Sequence, residues 1–150
     1  MAGGVALCLA RAVIVRPERA AWLVMADGLA AWAGGDLPWS LHYNHVAEPP
    51  YPNWADASYL ASYPFLYVGL LLLLRARLRP VRTSLWLDGA VSGLTLAALA
   101  TALLFGPILK VTGGDPSVVA TNLAYPVGDL LLLTSVGVAL SVTGWRPGRA

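Results

Sequence analysis

The residues of this chain that could do chemistry are five aspartates and four tyrosines set in otherwise apolar sequence. They are Asp27, Asp36, Asp56, Asp88 and Asp129, with Tyr59, Tyr63, Tyr67 and Tyr125. An ionised carboxylate only accepts hydrogen bonds, and a phenol donates one, so the two types are natural partners. Three uses compete. The acids could hydrogen-bond or cap neighbouring helices, line a ligand pocket, or carry a proton or ion. The third use lacks a basic partner, because no lysine or arginine lies within the complete apolar segments. The candidate polar cluster or ligand site is Asp36, Asp56, Tyr63, Asp88, Tyr125 and Asp129. Tyr125 and Asp129 are four residues apart and share a helical face.

Other candidates are thinner. His42 and His45 are three residues apart and Glu48 follows. Together they are weak candidates for a metal, because no further strong ligand of fixed geometry accompanies them. No metal and no cofactor is therefore expected. Gly34-Gly35-Asp36 and Gly113-Gly114-Asp115 match the opening of a cyclase signature, but neither continues with Glu-Phe. The chain has no phosphate-binding loop, no nucleophile elbow and no HExxH. It is expected to be no enzyme by itself. The single Cys8 offers no disulfide framework.

The elements that must position these groups are apolar helices. Hydrophobic residues make up 57% of the 150 and charged residues 12%, against about 25% charged in a soluble domain. The mean hydropathy is +0.64. The net charge of +2 gives no footprint for nucleic acid. The bilayer is the expected partner, with self-association or further membrane helices beside it. Ala57 to Leu74 carries no charge and is followed by Arg75, Arg77, Arg79 and Arg82. That is the pattern of a span stopped at the cytoplasmic face. Arg11, Arg16 and Arg19 form a second basic group, and Arg146 and Arg149 a third.

Spans over 20–40, 57–74, 84–109 and 117–143 place all three groups on one side. The loops 41–55 and 110–116 then lie outside. Pro38 and Pro107 are expected to end their helices. Residues 1–15 are apolar but short, and read as the last turns of a partial membrane helix. The expected fold is an all-α, polytopic membrane bundle of repeated helix hairpins: four complete spans plus a short partial N-terminal helix. It forms one membrane domain over 1–150, a multi-pass protein of the cell membrane with its arginine-rich loops cytoplasmic. Ala26, Ala30, Ala33 and Gly34 are expected to allow close helix packing.

A weak internal repeat supports the hairpin unit. Trp22 and Trp86 each open an apolar helix after arginines. Tyr63-Pro64 and Tyr125-Pro126 each precede a leucine run.

The ordered series Trp22, Gly35-Asp36, Trp39, Asp56, Tyr59-Leu60, Tyr63-Pro64, Gly69, Leu87-Asp88-Gly89, Pro107, Ala124-Tyr125-Pro126 and Gly128-Asp129-Leu130 resembles the N-terminal integral-membrane region of actinobacterial GGDEF and EAL signalling proteins, the cyclases and phosphodiesterases of cyclic di-GMP. The resemblance covers about residues 11–150. It implies a membrane-embedded sensory or anchoring module, with catalytic domains downstream in the cytoplasm. On that reading the chain is a fragment of a longer multi-span module without its output domain, and its signal ligand is not named by the sequence. The alternative is a small transporter or transporter subunit built from repeated hairpins, which calls for a broken, polar-lined helix at mid-membrane. Tyr125 to Asp129 is the stretch that could supply it.

Overall fold

The computed structural model describes residues 2–77, 83–112 and 114–143. Among them the regular structure is helical. The long helices are α1 (Ala2–Ile14), α2 (Arg19–Leu41), α3 (Trp54–Arg77), α4 (Thr83–Thr112) and α5 (Pro116–Thr143). Short 3-10 turns at Arg16–Glu18 and Tyr43–His45 precede and follow α2.

Two helix starts are written plainly in the chain. Asp115 caps α5: its Oδ1 accepts from the backbone N–H of Ser117 at 2.9 Å and of Val118 at 3.3 Å. Pro116 occupies the first helical position, where the missing N–H costs nothing. Asn53 caps α3 through a reciprocal pair. Its Oδ1 accepts from the Ala55 N–H at 2.8 Å, and Asp56 Oδ2 accepts from the Asn53 N–H at 2.9 Å. This is the capping-box arrangement with aspartate in the third position.

Pro38 and Pro107 do not end their helices. α2 runs on to Leu41 and α4 to Thr112. A proline removes one donor and is tolerated where the flanking turns still pair, and the His42 N–H closes the last turn of α2 on Pro38 O at 3.0 Å.

The helices pack as a row. α1 lies on α2, α2 on α3, α3 on α5, and α5 on α4. α2 and α3 are antiparallel: Gly35 faces Ala55 and Tyr59, while Gly69 faces Ala21 and Met25. Small residues at seven-residue spacing line that seam on both sides. Ala21, Gly28 and Gly35 are buried on α2, and Ala55, Ser62 and Gly69 on α3. A seven-residue repeat keeps one helix face turned toward its partner, and small side chains let the backbones approach. Gly69 is the tightest point, since a Cβ there would overlap Met25 Cγ and sit 3.3 Å from Ala21 O. Ala26 is buried as expected, but the rest of the seam is Ala21, Gly28 and Gly35; Ala30 is exposed, and Ala33 and Gly34 are half-buried.

Among the described residues three helices are long and apolar enough to cross a membrane: Trp54–Arg77, Val91–Thr112 and Pro116–Gly137. α1 is a shorter apolar helix. α2 has the length, at 23 residues. It does not reach the hydropathy of the other three, because Arg19, Asp27 and Asp36 and many Ala and Gly residues replace leucines. On length and composition the expected four spans therefore stand at three. The turn between α4 and α5 is also shorter than the expected 110–116, because both helices extend into that range.

A charged clamp ties one end of the row. Glu18 Oε1 accepts from Arg77 Nε at 2.8 Å, and Glu18 Oε2 from Arg77 Nη2 at 3.1 Å. Trp22 Nε1 also donates to Oε2, at 2.9 Å. The clamp joins the turn before α2 to the end of α3. It brings Arg11, Arg16, Arg19, Arg75 and Arg77 to the same end, as the arginine pattern predicts. Arg79, Arg82, Arg146 and Arg149 lie outside the described residues.

Gly69→Val should destabilise the α2–α3 pair by about 1–3 kcal/mol, the usual range for overpacking, while Gly106→Val, at a site with nothing within 4 Å, should not. Thermal unfolding in one detergent compares the two, and equal losses would contradict the close seam. The hydrogen bonds from Arg77 hold the Glu18 carboxyl below its ordinary value of 4.5; those from Trp22 and the charges of Arg77 and Arg11 add to this, while partial burial opposes it. A lowered folded-state value means the clamp stabilises above about pH 4.5 and is lost as pH falls through the folded value. Acid titration of thermal stability should show that loss in the native chain and a smaller one in Glu18→Gln.

Candidate functional site: a tyrosine–carboxylate ladder

α3 and α5 run parallel. Asp56 meets Tyr125, and further along Tyr63 meets Asp129. The contact is built from tyrosines and carboxylates that apolar packing alone cannot satisfy. At the end near the start of both helices Tyr51, in the loop before α3, donates to Asn122 Oδ1 at 2.9 Å. Next, Tyr125 donates to Asp56 Oδ1 at 2.8 Å. Deeper, Tyr63 donates to Asp129 Oδ1 at 2.6 Å and approaches the Tyr125 carbonyl oxygen at 3.4 Å. Tyr67 donates to the Gly128 carbonyl oxygen. Asp129 lies 13 residues from Pro116, about 20 Å along α5 at 1.5 Å per residue. That is the middle of the 28-residue helix.

Asp56 has two duties. One oxygen caps α3 and the other receives α5. A carboxylate has enough lone pairs for both. Gly128 gives Tyr63 its place, because a Cβ there would stand 2.9 Å from the Tyr63 ring. Tyr63 itself is 6% exposed.

A second branch leaves α3 for α2. Tyr59 donates to Asp36 Oδ1 at 2.9 Å, and its ring centroid lies 5.2 Å from that of Trp32. Tyr59, Tyr63 and Tyr67 follow at four-residue steps, and each step turns the helix face by about 40°. The stripe therefore swings from α2 to α5, and α3 serves both neighbours.

Five of the six expected residues thus enter hydrogen bonds of this kind: Asp56, Tyr63, Tyr125 and Asp129 in one ladder, and Asp36 on its own branch. The sequence named the members but no pairs. Asp129 takes its donor from Tyr63, while the Tyr125 hydroxyl turns to Asp56. Residues four apart share a face, but a four-residue step also carries the hydroxyl one turn away, toward whichever partner lies at its own depth. Asp129 is also exposed on the surface of the chain, rather than enclosed. Its second oxygen has no protein partner among the described residues. Asp27 is exposed on α2. Asp88 lies on α4, and its side chain falls outside the described residues.

Tyr51, Asn122, Gly128 and Tyr67 were not among the expected site residues. Gly128 next to Asp129 in the repeat of Tyr-Pro segments was the available signal. Tyr51 and Asn122 carry none, because their contact spans 71 positions.

His42 and His45 do not assemble with Glu48. Among the described residues no three His, Cys, Asp or Glu side chains are grouped to hold a metal ion. His42 packs edge-on against Tyr43 instead, with ring centroids 5.2 Å apart. α5 runs as one helix through Tyr125–Asp129, so the break that a midplane transport site would need is not found there.

Tyr63→Phe removes the donor to Asp129. Interhelical bonds of this type in membrane bundles couple by about 0.6 kcal/mol on average, up to about 1.7. A double-mutant cycle of Tyr63→Phe with Asp129→Leu should return a coupling in that range, and Asp129→Asn should unfold like the native chain because an amide still accepts. Strict additivity of the two single changes would contradict the bond.

No family model, no curated protein and no solved structure matches this chain.

Proposed function

We propose that this chain is a membrane-embedded sensory or anchoring module of a bacterial signalling protein. In this reading α2, α3, α4 and α5 all cross the bilayer, the arginine-bearing ends are cytoplasmic, and the loop 42–53 faces out. The observation that carries it is the ladder. It starts beside a loop outside the apolar spans, where Tyr51 bonds Asn122, and ends at a carboxylate in the middle of α5. Asn53 of that loop donates its N–H to Asp56, which receives Tyr125, whose carbonyl in turn receives Tyr63, the donor to Asp129, so a change at the loop has a hydrogen-bonded route into α5. α2 crosses in company: one of its acids, Asp36, is served by Tyr59 of α3, and the helix packs between α1 and α3.

The row order α2, α3, α5, α4 also fits two hairpins related by rotation about an axis along the helices. The two Tyr-Pro helices then meet in the centre. The type of output domain, a cyclic di-GMP cyclase or phosphodiesterase, rests on the sequence resemblance alone. The transporter reading is weaker, since α5 is continuous where that reading needs a break.

Two measurements test this. In a Cys8→Ser background, Asn44→Cys should react with an impermeant thiol reagent applied from outside and Arg79→Cys should not; the reverse pattern ends the topology. Tyr51→Phe should raise hydrogen exchange of backbone amides around 122–129 of α5 while leaving α1 unchanged. Unchanged exchange in α5 would show that the loop is not coupled to it.

A further inference from the structure

The arginine end of the row carries more positive charge than its own residues neutralise. Among the described residues Arg11, Arg16, Arg19 and Arg77 share this end with one carboxylate, Glu18. Both oxygens of Glu18 are already engaged, by Arg77 and by Trp22. The next acid on α2, Asp27, lies eight residues beyond Arg19, about 12 Å along the axis. Arg11, Arg16 and Arg19 are exposed, and none has an ion-pair partner among the described residues.

We propose that this end binds the phosphate headgroup of an anionic phospholipid, held by Arg11, Arg16 and Arg19 around the Glu18–Arg77 bridge. The proposal rests on the membrane reading above. Four observations point to a lipid. The arginines sit where apolar helices end: in the last turn of α1, in the turn before α2, and at the first residue of α2. That is headgroup depth for a helix that spans. The patch is also held in place. Glu18 is fixed to α3 by Arg77, and the Arg11 guanidinium lies 5.8 Å from the centroid of the Trp22 ring, whose indole N–H is itself bound to Glu18. The bases are all arginine, whose planar fork matches phosphate oxygens two at a time where a lysine offers a point charge. Finally, among the described residues the one carboxylate at this end is already used, which leaves these arginines open to an anion from outside.

The test uses the full chain, delipidated in detergent and titrated with phosphatidylglycerol or phosphatidylcholine, with bound lipid read by native mass spectrometry. Phosphatidylglycerol should bind and survive dilution better than phosphatidylcholine. A basic residue near an anionic surface is worth roughly a fivefold change in binding, so the triple variant Arg11→Gln, Arg16→Gln, Arg19→Gln should weaken it by about 100-fold. The corresponding triple lysine variant should fall between the two, since it keeps charge and loses the fork. Circular dichroism should show all three equally helical. Equal binding of both lipids, or an unchanged affinity in the glutamine variant, would overturn the proposal. So would displacement of the lipid by millimolar inorganic phosphate, which would assign the site to free anions. Flotation with pure phosphatidylcholine vesicles separates the two readings. A chain that inserts but shows no anionic preference refutes the lipid site alone, while a chain that does not insert refutes the membrane reading and the site with it.

Discussion

A carboxylate set in apolar sequence, as Asp129 is, needs a hydrogen-bond donor, and the arrangement of the central helices follows from that. A charged or unsatisfied acid in hydrocarbon costs at least about 2.5–3.5 kcal/mol on insertion scales. The chain meets this with tyrosines from the neighbouring helix: Tyr63 for Asp129 and Tyr59 for Asp36, with Tyr125 closing on Asp56 nearer the surface. Each pair fixes depth as well as contact, because a phenol reaches only the turn beside it. A slip of α5 by one turn, about 5.4 Å, would break every rung together. The ladder thus sets the register of two parallel helices that have no short connection to align them.

The antiparallel seam between α2 and α3 works by the opposite means. There the constraint is closeness, and the residues are small: Ala21, Gly28 and Gly35 against Ala55, Ser62 and Gly69. Between apolar helices in lipid there is little hydrophobic gain on association, so contact area and backbone proximity carry the energy. α3 combines the two devices, with small residues toward α2 and tyrosines toward α5. α4 uses neither to the same degree. It packs only on α5 among the described helices, and Leu94, Leu103 and Val111 remain 69%, 74% and 87% exposed.

The two ends of the bundle are chemically different, and this asymmetry connects structure to the proposed role. One end is a ring of arginines organised by a single glutamate. The other is a loop free of lysine and arginine, strapped to α5 by Tyr51 and Asn122. Between them runs the ladder.

The sequence by itself determined the helical class, the apolar segments, the grouping of arginines at helix ends and the residue types of the polar site. These are local properties: periodicity, run length and the cost of a charge in an apolar run can all be read from neighbouring positions. It also marked Pro38 and Pro107 as helix ends, where the helices continue, and it counted 20–40 with the more apolar spans. Whether a proline stops a helix depends on what the surrounding turns can still pair with. Only the tertiary structure decided which tyrosine serves which aspartate. Tyr125 lies four residues from Asp129 yet bonds Asp56, 69 positions away, because partner choice depends on the relative depth of two helices. That depth arises from caps, glycine contacts and rungs acting together, and none of these is visible in the spacing of one segment. The same holds for Glu18 and Arg77, 59 positions apart. Their pairing required α2 and α3 to fold back to a common end before either charge could find the other.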